Sequence, residues 1–115
     1  DRQSIVAGTA TAGRFFALAG RVGDVPQVGS GFYASEHGAA SATGAGEDIA
    51  RSTLTRLAVQ HVERGALPAA AAEVALEEFE ALTDSTAGLI VMDTDGNWGS
   101  AFNSTAMQTA VDPGP

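Results

Sequence analysis

Arg21 and Asp24 stand three residues apart in the glycine-rich stretch GRVGDVPQVGSG, Gly20 to Gly31. A guanidinium binds a carboxylate through two parallel N–H donors, and a carboxylate accepts from an ammonium group. Held apart, the two side chains can grip both ends of an α-amino acid, and the glycines let a ligand come close to the main chain. The same residues read as a surface turn whose exposed ion pair contributes roughly 0 to 1 kcal/mol. A second candidate is Thr43-Gly44-Ala45-Gly46. A strand that ends in Thr-Gly just before a helix offers a hydroxyl and backbone N–H groups at a positive helix start, the donors an oxyanion needs. A phosphate would use the same donors, but the chain has no Lys to complete a phosphate loop, and the spacing matches neither of the usual glycine fingerprints. Thr9 and Thr11 form a third candidate: two residues apart on a strand, both hydroxyls face one way. Taken alone, Thr-x-Thr is ordinary strand composition.

Composition limits the chemistry further. A chain of 115 residues reads as a single domain, residues 1–115, long enough to bury a core. With no Cys, a thiolate nucleophile, a disulfide framework and Cys-ligated zinc are excluded. His37 and His61 are the only imidazoles, so no metal site is expected. All six basic residues are Arg against 14 acidic ones, a net charge of −8, which makes nucleic acid a poor partner. An acidic, Lys-free surface suits concentrated salt, where screening shortens to roughly 3 Å; a high-GC coding bias produces the same Arg preference. No apolar run is long enough to span a bilayer and the start lacks a signal-peptide pattern, so we read a soluble, cytoplasmic chain with no membrane partner.

Elements follow from periodicity. Ile5-Val6-Ala7 is expected to be a strand that ends in hydroxyls, followed by a long loop with Phe15 and Phe16 as an aromatic plug. Phe32-Tyr33-Ala34 is a short strand candidate. The small residues from Gly38 suit a closely packed strand, and TGAGED opens a helix. Ile49, Ala50, Thr53, Leu54, Leu57, Ala58, His61 and Val62 recur with helical spacing, and Gly65 stops the helix. His61, at the edge of that stripe, is expected to pack rather than to ligate. Pro68 starts a second helix whose Glu73, Glu77, Glu78 and Glu80 form a solvated face. AGLIVMD is a strand and TDGN before WGSAF a hairpin turn. The order predicts an α+β domain with a helical pair on one sheet face.

The segments TATAG, GRVGDVPQVGSGFYA, SATGAGE, AGLIVMDTDGN and FNSTAM together resemble the β-subunit of plant-type L-asparaginases and isoaspartyl peptidases, which are N-terminal nucleophile hydrolases. The likeness runs over nearly the whole chain. It implies part of a four-layer αββα sandwich, with an α-subunit of the same precursor supplying the other layers, and a dimer of αβ units. It implies a small-molecule substrate, L-asparagine or a β-aspartyl peptide, and no organic cofactor; the family's sodium-binding loop lies in the α-subunit. In the family, a precursor cuts itself and the new N-terminal Thr attacks, its own α-amino group acting as base. By this resemblance Thr11 hydrogen-bonds that nucleophile, Arg21 anchors the substrate α-carboxylate and Asp24 its α-ammonium, while Thr43 and Gly44 stabilise the tetrahedral oxyanion.

Departures from the family pattern fall beside these residues. TGTGE is TGAGE here, with Ala45 at the third position, and STSTGG has become TATAGR, with Ala12 and Arg14. The resemblance puts the nucleophilic Thr about eight residues before Asp1, so the sequence from Asp1 onward holds the reading parts of the site without the attacking group. Two alternatives share the same clamp: a glycosylasparaginase, and a non-catalytic amino-acid-binding remnant. Asn103-Ser104-Thr105 is formally a glycosylation acceptor, relevant only to a secreted chain.

Overall fold

Four strands and three helices follow one another in the computed structural model, which describes residues 5–8, 27–44 and 46–103. They are β1 (Phe32–Ala34), β2 (Gly38–Gly44), α1 (Gly46–Ser52), α2 (Leu54–Glu63), α3 (Pro68–Leu82), β3 (Ala87–Asp93) and β4 (Trp98–Phe102). The strands make one antiparallel sheet in the order β1-β2-β3-β4. This is an α+β arrangement.

Side-chain alternation divides the sheet into two unlike faces. Ala40, Ala42, Leu89 and Val91 point inward and meet Ile49, Leu54, Ala58 and Val59 from the first two helices and Ala72, Ala75, Leu76 and Phe79 from α3. Small residues let helix and sheet approach. A Cβ on Gly99 would stand 2.3 Å from Ala69 Cα, so α3 can rest on β4 only because that position has no side chain. The other face carries Phe32, Ile90, Met92, Trp98 and Phe102 in register with Ser41, Thr43 and Ser100. Ile90, Met92, Trp98 and Phe102 are 38 to 45% exposed there.

The expected strand at Ile5-Val6-Ala7 is not formed, since residues 5–8 belong to no ladder. Both edges of β2 are already paired with β1 and β3. The segment instead meets β2 through a side chain, the Ser41 hydroxyl donating to Gly8 O at 3.2 Å, which sets it over the apolar face rather than at an edge.

Helical periodicity from Ile49 to Val62 predicts one helix; the chain breaks it at Thr53, which takes φ 48° and ψ 53°. The reason lies in the loop before β1. A continuous helix would send the Leu54 N–H to Ala50 O and the Arg56 N–H to Ser52 O. Here Ala50 O accepts from Thr53 N–H at 3.4 Å and from the Ser30 hydroxyl, and Arg56 N–H donates to Gly29 O at 3.0 Å. The loop thus caps α2 with its own carbonyl. A β-branched residue in the left-handed region costs of order 1 to 3 kcal/mol. Thr53→Gly is expected to raise stability by about 0.5 to 1 kcal/mol after the entropy cost of glycine, read as a higher urea midpoint at unchanged slope.

The remaining elements follow their local signals. Gly65 ends α2 with φ 100°, and Pro68 opens α3 where its missing N–H costs nothing. His61 Nε2 meets Glu78 Oε1 at 2.5 Å and ties α2 to α3, so the imidazole is committed to packing the helix pair. In the β3–β4 turn, Asp93 Oδ1 accepts from the N–H groups of Asp95 and Asn97 at 3.0 and 2.9 Å, with Gly96 at φ 88°. Among the described residues, no helix is long and apolar enough to cross a membrane.

Candidate functional site

Of the residues the sequence assigns to a site, Thr43 and Gly44 fall within the described chain; Thr9, Thr11, Arg21 and Asp24 lie outside it, as do Phe15 and Phe16. Thr43 and Gly44 end β2, both exposed, two residues before the first residue of α1. Two residues on from Ser41, the Thr43 side chain stands on the apolar face, the face that Ile5–Gly8 reaches. Backbone N–H directions alternate along an extended strand. Ala42 N–H donates to Gly31 O at 2.9 Å, so the Gly44 N–H points the same way, past Phe32, the first residue of β1. Hydroxyl and N–H therefore stand at one corner of the sheet, beyond the first residue of β1 and before the start of α1.

Glycine is required at position 44 by geometry. Its φ is 141°, and a Cβ there would lie 2.3 Å from Thr86 O and 2.7 Å from Ala87 Cα. The backbone at Gly44 is pressed directly against the start of β3.

Three polar residues hold that start of β3, and composition alone does not single them out. Asn103 Oδ1 accepts the Ala87 N–H at 2.7 Å, the Asn103 N–H donates to Ala87 O at 3.1 Å, and Asn103 Nδ2 donates to Ser85 O at 3.3 Å. The Ser85 hydroxyl donates to Asp48 Oδ2 in the first turn of α1. Arg51 Nη1 approaches Asp48 Oδ1 at 3.8 Å, an exposed contact of small energetic weight. Asn103 is the formal glycosylation acceptor; the Nδ2 that would carry a sugar is engaged with Ser85 O. The only signal that could have pointed to this use is its position just after β4, where an Asn side chain can bond to neighbouring backbone.

Among the described residues, no group of three His, Asp or Glu side chains could hold a metal ion. The acidic residues Glu73, Glu77 and Glu80 flank an open groove of about 430 Å³ between α3 and the end of β4.

A strand-end hydroxyl and a backbone N–H are donors of the kind that can meet a polar or charged oxygen. A family model described as asparaginase matches residues 1–114. Isoaspartyl peptidase/L-asparaginase of Danio rerio is 41% identical over 109 residues, 94% of this chain and 35% of that protein. Plant-type L-asparaginase of Pyrococcus furiosus is 40% identical over 111 residues, 96% of this chain and 36% of its own length. The Mus musculus isoaspartyl peptidase/L-asparaginase is 38% identical over 111 residues, 96% of this chain and 34% of its own length. The chain belongs to the asparaginase family. It spans about a third of the length of these curated relatives.

Proposed function

We propose that this chain is the β-subunit-like portion of an amidohydrolase that cleaves the side-chain amide of L-asparagine and the isopeptide bond of β-aspartyl peptides. What supports the reading is that Thr43 and Gly44 adjoin at the exposed end of β2, beside an exposed apolar sheet face, in a chain about 40% identical to proteins named for those substrates. In this reading an N-terminal Thr upstream of Asp1 attacks the side-chain carbonyl carbon, with its α-amino group taking the hydroxyl proton. The C–N bond breaks, the leaving amine departs with a proton, and water then hydrolyses the β-aspartyl ester to aspartate. Thr43 and Gly44 hold the oxyanion of both tetrahedral species.

Thr11 orients the nucleophile by hydrogen bonding, while Arg21 and Asp24 grip the α-carboxylate and α-ammonium of the aspartyl group. Such charge-assisted bonds contribute about 1.5 to 3 kcal/mol each. Arg21→Ala in the complete protein is therefore expected to lower kcat/KM for L-asparagine by at least about tenfold, chiefly through KM. Unchanged kinetics would remove the clamp.

The exposed side chains Ile90, Met92, Trp98 and Phe102 support a second sheet stacked on this one, as in a four-layer αββα sandwich completed by an α-subunit from the same precursor. Two such αβ units would pair as a dimer. The experiment that tests the activity is aspartate release by the complete protein from L-asparagine, a β-aspartyl dipeptide and glycosylated asparagine. Turnover of the first two with little of the third is expected; binding without turnover of any would make the chain a non-catalytic amino-acid receptor.

A further inference from the structure

The backbone of Gly44 has no freedom of its own toward β3, because it lies against Thr86 and Ala87 with no side chain between. Wherever Thr86 and Ala87 sit, Gly44 must follow. Their position is set from the opposite side by Asn103, which bonds both the N–H and the carbonyl of Ala87 and reaches Ser85 O on the far side of Thr86. Ser85 then links to Asp48 in α1, the helix that begins two residues after Gly44. The contacts close a ring: Gly44, α1, Asp48, Ser85, Ala87 and back to Gly44. Such a ring fixes both the end of β2 and the angle at which the chain leaves it.

We infer that Asn103, acting with Ser85 and Asp48, is a positioning residue that holds Thr43 and Gly44 in the geometry that stabilises the oxyanion; this rests on the reading of that pair given above. Asn103 touches no substrate, and its effect passes through the backbone at Ala87. Misplacing reacting partners by about 1 Å costs up to about a hundredfold in rate, and that loss belongs to kcat when the displaced donors act only in the transition state.

The test is steady-state kinetics of the complete protein on a β-aspartyl dipeptide, with kcat expressed per titrated nucleophile so that misfolded molecules do not count. Asn103→Ala is expected to lower kcat by about ten- to a hundredfold with KM within about twofold. Ser85→Ala should fall in the same direction, and Ser85→Thr, which restores a hydroxyl, should recover most of the loss. If Asn103→Ala does not fold, the Ser85 pair carries the test by itself. In a Thr43→Ala background, either change should cost less than it does alone, because one of the two donors it positions is gone. Additive losses, a change confined to KM or to thermal stability, or no recovery with Ser85→Thr would overturn the inference. If Thr43→Ala alone leaves kcat intact, the oxyanion reading itself falls and the positioning role falls with it, an outcome distinct from the others.

Discussion

Thr43→Ala in the complete protein is expected to lower kcat on L-asparagine and β-aspartyl dipeptides by about 10²- to 10³-fold with little change in KM, the effect of removing one oxyanion donor. The separation of kcat from KM follows from chemistry. The ground-state amide oxygen carries little charge, so the hydroxyl contributes most once the oxygen becomes an oxyanion. The fold should hardly notice the change, because Thr43 is exposed at the end of β2 and is absent from the buried core. Stability should move by no more than about 0.5 kcal/mol, as for other surface substitutions. A rate loss accompanied by an equal loss of stability would place Thr43 in the framework rather than in the chemistry.

Gly44→Ala should act on both at once. The added methyl would meet Thr86 O at 2.3 Å, a backbone atom that cannot turn aside, and the φ of 141° is strained for any L side chain. Strain of this kind costs of order 1 to 3 kcal/mol, and forcing backbone apart adds a comparable amount, so a loss of about 3 kcal/mol or more is expected in urea denaturation. Catalysis should fall along with stability, because relief of the clash requires the Gly44 N–H to move. Gly65→Ala provides the control. Gly65 also has a positive φ, of 100°, but a Cβ there meets nothing within 4 Å, and the cost should stay near about 1 kcal/mol. If the two variants lose the same stability, the contact with β3 is not what constrains Gly44.

Most of the described fold was legible in the sequence because its signals are local. Pro68 at a helix start, Gly65 at a stop, TDGN between two strands and the apolar run AGLIVMD each depend on neighbours a few residues away. What was not legible depends on distant partners. Nothing in the periodicity of Ile49 to Val62 reveals that Ser30 and Gly29 will compete for the hydrogen bonds at Thr53. The apolar residues of Ile5 to Gly8 suit a strand, yet that segment has no free edge of β2 to join.

The site divides in the same manner. Thr43 and Gly44 stand out because a strand end, a glycine and a helix start adjoin in the chain. Asn103, Ser85 and Asp48 are spread over 55 positions and become neighbours only when β4 returns beside β3 and α1 packs against the loop before it. Residue type alone marks Asp48 as a favourable charge at a helix start and Asn103 as a formal glycosylation acceptor. Their shared use at Gly44 is a property of the folded chain.

The central claim is that these elements serve a nucleophile released at a new N-terminus. Its most direct test is the intact mass and N-terminal residue of each polypeptide in the purified, matured gene product. The account predicts two polypeptides, one of them beginning at a Thr about eight residues before Asp1. A single uncut polypeptide, or a mature polypeptide that begins at Asp1, would contradict it.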